Sequence, residues 1–160
     1  MRYLYLTFIL LFPIDTIAEI LEFQAKVVKV IDGDSMIVQN KEGKFPIRIK
    51  YIDAPEIKQR YGKESKAFLQ KLIYGKSVFI SSPYKDRYNR YLSEVYIYNN
   101  DIAIYVNAKL IKSGNAWVYK SYRTNEYLMN LENFAKTNIK GLWSNKKPTK
   151  PWVFRKIDKK

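Results

Sequence analysis

The sequence predicts a single α+β domain built on a small, strongly curved antiparallel sheet that closes into a barrel. The first observation behind this prediction is a succession of short segments with alternating apolar and polar residues, separated by turn sequences, from residue 23 to about residue 98. The second is that helical spacing occurs once inside this region and twice after it. With 160 residues, 47% of them hydrophobic, the chain is long enough to bury a core without crosslinks.

Five strands are expected from the alternation. They cover residues 24–30, 36–38, 45–52, 77–82 and 91–98. The turns between them include Asp32-Gly33-Asp34, residues 40–43 and Asn99-Asn100-Asp101. In the third strand, Ile47, Ile49 and Tyr51 are expected to share one face, because successive side chains alternate across a sheet.

Three helices are expected, over residues 63–73, over residues 104–113 and after Thr124. Gly75 and Gly114 follow the first two segments and are typical C-terminal caps, since glycine adopts the left-handed conformation without strain. Thr124 is the predicted N-cap of the third helix. That helix is expected to turn four apolar side chains inward, namely Leu128, Leu131, Phe134 and Ala135.

The N-terminal end of the chain differs in character from the domain. Residues 1–18 carry Arg2, an apolar stretch over residues 3–14 and the sequence Thr16-Ile17-Ala18, a pattern typical of a secretory signal peptide cleaved after Ala18. A membrane anchor is the alternative, but about 12 apolar residues fall short of the ~20 that span a bilayer. We therefore expect an exported protein, located in the periplasm or outside the cell.

Residues 146–160 form a basic C-terminal tail with seven Lys or Arg residues and two prolines. One interpretation of this composition is a solvated, disordered end. Trp152 and Phe154 favour another, in which part of the tail packs back on the domain. In a third, the tail binds weakly to an anionic surface such as a membrane.

The composition restricts the chemistry that the protein can perform. Because the chain contains neither His nor Cys, it has no imidazole base, no thiol nucleophile and no ordinary zinc site. Any metal must be bound by oxygen, as calcium, magnesium and manganese are. A net charge of +14 attracts anions, so nucleic acid or an anionic membrane is the expected partner. No feature points to a protein partner, and a monomer is expected.

Four carboxylates lie in two pairs, with no lysine between the members of either pair. Asp32 and Asp34 lie in the turn after the first strand, while Asp53 and Glu56 flank a stiff, proline-containing turn after the third. If the two turns meet at one rim of the barrel, a divalent cation would relieve the mutual repulsion of these carboxylates. The alternative is two acidic surface turns. An EF-hand is excluded, because its twelfth position counted from Asp32 is Gly43 rather than Glu.

Arginine is scarce, with seven residues against 22 lysines, and two of the seven are expected near the same rim. Arg48 precedes Asp53 by five residues, and Arg90 lies just before the fifth strand. A guanidinium forms two parallel hydrogen bonds to a phosphate, which lysine cannot do. Two arginines and a cation around a phosphodiester would stabilise the charge that it gains in the transition state, as catalysis requires. Solvation of strand edges is the alternative role for both arginines.

Six blocks of the sequence are informative when they are taken together. They are Val30-Ile31-Asp32-Gly33-Asp34-Ser35, Ile47-Arg48-Ile49, Ile52-Asp53-Ala54-Pro55-Glu56, Tyr61-Gly62-Lys63-Glu64, Asp86-Arg87-Tyr88-Asn89-Arg90 and Gly141-Leu142-Trp143. In this order and spacing they resemble the staphylococcal nuclease (thermonuclease) family. The segment Pro151-Trp152-Val153-Phe154-Arg155-Lys156 also resembles the ending of many bacterial members. The resemblance implies a five-stranded OB-fold barrel with three helices over residues 19–145.

The resemblance also implies an activity, that of a calcium-dependent endonuclease that hydrolyses phosphodiester bonds of DNA and RNA and leaves 3′-phosphates. Asp34 and Asp53 would be direct Ca²⁺ ligands, together with the backbone carbonyl of Ala54. Asp32 and Asp86 would lie behind the groups that touch the cation and the substrate.

The resemblance assigns further roles to residues on the same rim. Glu56 would orient or deprotonate the attacking water, while Arg48 and Arg90 would bind the scissile phosphate. Arg87 and Tyr88 would contact the terminal phosphate of the bound nucleotide.

The assignments around the base also have an alternative. Trp117 and Tyr119 would flank the base, and packing of the barrel against the third helix is the alternative for each.

The sequence departs from the family at Asn89, where Gly is usual, although Asn tolerates the left-handed backbone. The loop over residues 57–60 is shorter than its counterpart in the best-known member. A catalytically silent nucleic-acid-binding barrel is the alternative function.

Overall fold

The computed structural model describes residues 20–82, 84–100 and 102–158 of the chain. Within these residues the strands are β1 (Leu21–Val30), β2 (Ser35–Asn40), β3 (Gly43–Ile49), β4 (Ile52–Asp53), β5 (Ser77–Ser82), β6 (Tyr91–Asn99), β7 (Ile102–Tyr105) and β8 (Trp117–Val118). The α-helices are α1 (Gly62–Ile73), α2 (Val106–Lys112), α3 (Glu126–Thr137) and α4 (Pro151–Ile157). Short 3₁₀ turns cover Lys120–Tyr122 and Gly141–Ser144.

Five of the strands close into a barrel. β1 pairs antiparallel with β2 on one side and with β5 on the other, while β2 continues to β3 and β5 continues to β6. The barrel closes where β3 runs parallel to β6, with Arg48 opposite Leu92. β7 extends the sheet beyond β6, and β4 forms a separate ladder with β8. The predicted single-domain α+β barrel is confirmed, but α4 is a fourth helix that the prediction lacked.

Alternating strand residues and the inner faces of the helices fill the barrel. In β1, a bulge between Val27 and Lys29 shifts the register, so that Val30 is again buried. The largest fully buried side chains include Met36, Ile47, Ile49, Leu69, Ile73, Ile80, Leu110 and Ile111. Full burial of each such side chain is worth about 1.5–3 kcal/mol, which makes this core the main source of stability.

The third barrel strand ends earlier than the sequence predicted. It stops at Ile49, and Tyr51 adopts a left-handed backbone with φ 70°. The chain therefore turns sharply, and the Tyr51 ring packs edge-on against Tyr122, with 4.8 Å between the ring centroids. After this turn Asp53 pairs with Trp117 between β4 and β8. Alternation could not reveal the turn, because Tyr is not a residue that normally adopts positive φ.

Residues 102–105 form β7, so residues 104 and 105 are not the start of the second helix as predicted. They pair antiparallel with β6, and Asn100, which follows β6, has a left-handed backbone with φ 53°. The hydrogen bonds of this hairpin replace those of a helical turn, so α2 begins only at Val106. The predicted hairpin turn is confirmed at Asn99 and Asn100, while Asp101 lies outside the described residues.

The residues that cap the helices are of the predicted kinds, but one cap lies one residue away from its predicted position. α3 is capped by Asn125, one residue after the predicted Thr124, and the Asn125 side chain accepts a hydrogen bond from the Leu128 amide at 3.1 Å. Gly75 and Gly114 have φ values of 75° and 72°, which confirms both as left-handed residues after their helices.

The buried face of α3 differs from the predicted one. Leu128 and Ala135 are buried as predicted, and Leu131 is half-buried. Phe134 is 42% exposed, so the prediction that it faces inward is wrong. Glu132 takes the inward position because it continues the stripe of Leu128 and Ala135 at spacings of four and three residues.

Glu132 is a fully buried carboxylate that ties α3 to β8. It accepts a hydrogen bond from the Val118 amide at 2.8 Å. It also pairs with Arg123 at 3.2 Å and with Lys136 at 2.5 Å. These contacts compensate the buried charge and orient the segment that follows β8.

The C-terminal tail is folded at residues 151–157. They form α4, which begins with Pro151 at its first helical position, a residue well suited to that place. Pro151 is buried, and the Trp152 ring lies 6.2 Å from the Trp117 ring. The interpretation in which the tail packs back is therefore correct, and the folded structure extends beyond residue 145. Binding of the tail to an anionic surface stays a prediction.

The predicted signal peptide lies outside the described residues, as do the last two residues of the chain. Cleavage after Ala18 therefore stays a prediction. In the part of the chain that the structure describes, no helix is both long enough and apolar enough to cross a membrane.

We expect Glu132→Gln to lower the free energy of unfolding by about 1–3 kcal/mol. The amide can still accept from Val118, but it loses the charge that pairs with Arg123 and Lys136. These two side chains are 32% and 35% exposed, so they can turn to water, which limits the loss. Urea unfolding measures the change, with Glu126→Gln on the exposed face of the same helix as the control. A loss no larger than that of the control would contradict this role.

Candidate active site

A cleft of about 520 Å³ opens at one rim of the barrel. Its walls come from the turn after β1, the ends of β3 and β4, the loop before β6, the turn after β8 and one residue of α4. Its charged lining residues are Asp32, Asp34, Asp53, Glu56 and Asp86 together with Arg48, Arg87, Arg90 and Arg155. The two acidic turns therefore meet at one rim, as predicted, and the predicted arginines lie there with them.

Asp34 and Asp53 are the most enclosed of these carboxylates, with 5% and 1% exposure. Asp34 Oδ2 accepts a hydrogen bond from the Ala54 amide at 2.6 Å, and its Oδ1 accepts from Ser35 Oγ at 3.0 Å. Because Ala54 directly follows Asp53, the first of these bonds holds one acidic turn against the other. Both carboxylates require nearby cations, since burial of an unpaired charge is costly.

Two glycines permit the close approach of the acidic turns to α1. A Cβ on Gly33 would collide with the Ser65 hydroxyl of α1 and would lie 2.6 Å from Ala54 Cβ. A Cβ on Gly62 would collide with the carbonyl group of Glu56. A larger residue at either position would push the turns apart.

Arg48 lies between the two buried carboxylates. One terminal nitrogen pairs with Asp34, and the other donates to Asp53 Oδ1 at 2.8 Å and to the Ile52 carbonyl at 3.3 Å. Burial lowers the pKa of Arg48, while the charges of Asp53 and Asp32 oppose that effect. The guanidinium remains a cation, because arginine is not deprotonated in proteins.

Asp32 supports this arrangement from behind. Its Oδ1 accepts a hydrogen bond from the Asp34 amide at 2.9 Å, which closes the turn. Burial raises the pKa of Asp32, and the charge of Arg48 and hydrogen bonds from Ser35 partly oppose that effect.

Arg90 approaches the cleft from the opposite wall and is held by Asp86. Arg90 Nε and Nη2 donate to Asp86 Oδ2 at 2.9 and 2.8 Å, while Asp86 Oδ1 accepts from the amides of Tyr88 and Arg90. Although burial alone would raise the pKa of Asp86, these hydrogen bonds lower it overall. Asn89 has φ 61°, the left-handed conformation expected of it in this turn. Arg90 Nη1 also lies 3.4 Å from Ser35 Oγ, which links the two walls.

Glu56 lies at the mouth of the cleft with its side chain 36% exposed. Its Oε1 accepts a hydrogen bond at 2.6 Å from Arg155 of α4, and Arg155 also donates to Asp53. Burial alone would lower the pKa of Arg155, but its bonds to Asp53 and Glu56 raise it. The predicted site did not include Arg155. The one feature of the sequence that pointed to Arg155 is the segment over residues 151–156. That segment resembles the ending of many bacterial members of the family, but the resemblance assigns no role to its residues.

The aromatic residues predicted for the site divide into exposed and covered rings, and Trp117 is not among the residues that line the cleft. Trp117 is 4% exposed and packs edge-on between Trp143 and Trp152, at centroid distances of 4.2 and 6.2 Å. The Trp117 ring is therefore packed, but its ring partners belong to the Gly141–Ser144 turn and α4 and not to the third helix named in the packing alternative. Tyr119 lines the cleft and is half-buried. Tyr88 is 67% exposed beside Arg87 and Arg90.

Tyr51 lines the cleft, and its hydroxyl donates a hydrogen bond to Glu94 Oε1 at 2.9 Å. Burial, together with this carboxylate, raises the pKa of Tyr51 to about 12. Its phenol is therefore a neutral hydrogen-bonding group at physiological pH, and not a base.

The donor set fits a hard cation in part. Asp34 and Asp53 supply carboxylate oxygens of the kind that calcium takes, and the Ala54 amide bonds to Asp34 beside them. Among the described residues, no three acidic side chains converge closely enough to enclose a metal ion by themselves. A cation here would thus depend on the backbone and on water for its remaining ligands.

Comparison with known proteins agrees with this geometry. A sequence model of the family described as staphylococcal nuclease homologue matches residues 46–145. An uncharacterized endonuclease of Escherichia coli O157:H7 is 38% identical over 134 residues, which cover 84% of this chain and 86% of that protein. An uncharacterized endonuclease of Haemophilus influenzae is 36% identical over 135 residues, covering 84% of this chain and 74% of that protein. The probable staphylococcal-like nuclease CAN2 of Oryza sativa subsp. japonica is 39% identical over 113 residues, covering 71% of this chain and 30% of that protein. The chain belongs to the staphylococcal nuclease family.

Proposed function

We propose that this protein is a calcium-dependent endonuclease that hydrolyses phosphodiester bonds of DNA and RNA and leaves 3′-phosphates. Family membership supports the coarser part of this proposal, a nuclease that hydrolyses phosphodiester bonds. The observation that best supports the finer part of the proposal is that a single cleft contains two buried carboxylates, Asp34 and Asp53, together with Arg48 and Arg90. Oxygen ligands for a hard cation thus lie beside cationic groups suited to a phosphate.

In this proposal the two arginines bind the scissile phosphate and stabilise the negative charge that it gains in the transition state. Arg48 is oriented by Asp34 and Asp53, and Arg90 is oriented by Asp86. Because these ion pairs hold the guanidiniums before substrate binds, little reorganisation is needed as the charge develops.

Glu56 is the group proposed to act on the attacking water. Its carboxylate lies at the mouth of the cleft, where it is partly open to solvent. From there it would orient the water or accept its proton, and general-base assistance of this kind is typically worth about 10²–10⁴-fold in rate.

Calcium is the proposed cofactor, bound by the carboxylates of Asp34 and Asp53 and the carbonyl of Ala54. When bound, it would supply Lewis-acid polarisation of a phosphoryl oxygen and activation of water.

The outer part of the cleft is proposed to bind the nucleotide itself. Arg87 and Tyr88 would contact its terminal phosphate, and the guanidinium of Arg87 lies 5.2 Å from the Tyr88 ring centroid. Tyr119 would stack on the base, an interaction worth about 1–3 kcal/mol that tolerates any sequence. With Trp117 covered, this stacking role falls to Tyr119 alone.

We expect Arg48→Ala and Glu56→Gln each to lower the rate of plasmid cleavage at saturating Ca²⁺ by at least about 10²-fold. Each change removes a charge that faces the cleft. Arg60→Ala and Glu64→Gln are matched controls, since both side chains are exposed outside the cleft and should leave the rate unchanged. Gel analysis with and without chelator measures cleavage, end labelling identifies the 3′-phosphate, and circular dichroism verifies folding.

Three results would count against the proposal. Full activity of both variants would remove the assigned roles, and cleavage that persists in chelator would remove the calcium dependence. If the wild-type protein bound DNA in Ca²⁺ without cutting it, the catalytically silent nucleic-acid-binding barrel would be the better description.

We expect Asp86→Asn to lower cleavage about tenfold and the stability at pH 7 by about 1 kcal/mol, because Arg90 loses a charged acceptor. The pKa of Asp86 is lowered in the folded protein. Its stabilising contribution is therefore present above its unfolded pKa and is lost as pH falls through the folded value. Urea unfolding should show wild type and variant converging below about pH 4.

Asp158→Asn is the control for this prediction, since Asp158 is exposed at the end of α4. A stability difference between wild type and Asp86→Asn that stays constant down to pH 2.5 would mean that the charge of Asp86 is not what holds Arg90.

We also propose that the protein is exported and cleaved after Ala18, on the basis of the sequence pattern over residues 1–18. Protein recovered from the periplasm or the medium should begin at Glu19, which intact-mass spectrometry measures. A variant with a bulky residue, Ala18→Gln, should be processed poorly. Recovery of the uncleaved wild-type chain from the cytoplasm would contradict export.

A further inference from the structure

Arg155 occupies the part of the cleft where the two carboxylates of the second acidic turn meet. Its Nη2 donates to Asp53 Oδ2 at 2.7 Å, and its Nη1 donates to Asp53 Oδ1 at 3.2 Å and to Glu56 Oε1 at 2.6 Å. Within the described part of the chain, Arg155 is the only side chain found hydrogen-bonded to the Glu56 carboxylate. The predicted base and a predicted metal ligand thus share one guanidinium.

Packing, and not charge alone, brings Arg155 to this position. On the same helix, the Trp152 ring packs edge-on against the buried Trp117 ring. Just before the helix, the Thr149 carbonyl accepts a hydrogen bond from Gln59 Nε2 at 2.5 Å. These contacts seat α4 against the rim, so the guanidinium is held in the wall of the cleft even though the Arg155 side chain is 38% exposed.

A divalent cation and Arg155 require the same oxygens. Asp53 Oδ1 accepts from both Arg48 and Arg155, and Oδ2 accepts from Arg155, so each oxygen is already engaged by a cationic donor. A metal ion ligated by Asp53 would compete for these lone pairs and would repel the nearby guanidinium. Without a metal, Arg155 supplies charge compensation to a carboxylate that is 1% exposed.

We infer that Arg155 is a resident cation of the site, which a divalent cation displaces from Asp53 and Glu56, so that α4 determines the affinity of the site for the metal. This inference rests on the proposed function in one respect, that Asp53 ligates the cation. Displacement also releases the Glu56 carboxylate from its ion pair, which leaves it free to interact with water. Metal loading and the availability of the base are thereby coupled.

The coupling must be reciprocal. If Arg155 weakens metal binding by a given factor, the metal weakens the docking of Arg155 by the same factor. Calcium should therefore loosen α4, although a bound ligand ordinarily protects the structure around it. Loosening of α4 by Ca²⁺ would therefore indicate competition at the site, whereas protection of α4 would indicate simple stabilisation of the fold.

The first test is calorimetric titration of Ca²⁺ into the purified, chelator-treated protein. Arg155→Met should raise the Ca²⁺ affinity roughly tenfold, within the usual range of coupling between sites. Arg155→Lys should give an intermediate increase, because it keeps the charge but not the bidentate geometry. Lys156→Met is the matched control, since Lys156 is an exposed neighbour on the same helix and loses the same charge. It should change the affinity by less than about twofold.

The second test is hydrogen exchange of α4 with and without Ca²⁺. In the wild-type protein, saturating Ca²⁺ should speed exchange of the amides of residues 151–157. In Arg155→Met that exchange should no longer respond to Ca²⁺, because the ion pair that the metal breaks is absent.

Several outcomes would overturn the inference. Unchanged affinity in Arg155→Met, or an increase matched by Lys156→Met, would mean that Arg155 does not compete at the site. A lower affinity would mean that Arg155 orders the carboxylates for the metal instead of competing with it. Because both tests are made without nucleic acid, they are independent of cleavage. A protein that binds Ca²⁺ as described but does not cut DNA would leave the inference standing and contradict only the proposed activity.

Discussion

The burial of two carboxylates, Asp34 and Asp53, at the open rim of a β-barrel is the constraint on which the rest of the site depends. Each charge would be strongly destabilising in isolation, so the surrounding structure provides cationic and amide donors. Arg48 pairs with both, and the Ala54 amide binds Asp34. The buried carboxylates at this rim attract arginine side chains, and guanidinium groups are well suited to binding a phosphate.

The topology explains how residues that are distant in sequence reach this rim. The turn after β1 and the end of β4 come together because Ala54 bonds to Asp34 across them. Closure of the barrel between β3 and β6 then brings the loop that precedes β6, with Arg90, to the opposite wall. The arginines are therefore held by separate elements, and each has its own carboxylate partner to orient it.

The C-terminal helix extends the site beyond the region that the family model matches. That region covers residues 46–145, whereas the cleft is lined from Asp32 to Arg155. α4 contributes one cation to the acidic wall and, through Trp152, covers the ring of Trp117. The packing that places Arg155 also brings Trp152 against Trp117, whose ring is covered on its other side by Trp143 at 4.2 Å.

The residue pattern is sufficient for the barrel, the acidic turns and the location of Arg48 and Arg90 near them, because alternation, glycine positions and turn residues act over a few neighbouring positions. It misplaces the end of β3, where Tyr51 turns the chain at an unfavourable φ, and the inward residue of α3, where Glu132 takes the buried position expected of Phe134. It assigns no partner to Arg155, which binds Asp53 across 102 residues of chain. That pairing depends on where a C-terminal helix packs after the barrel has closed, and no local spacing encodes that contact. The burial of Trp117 likewise depends on distant residues, Trp143 and Trp152.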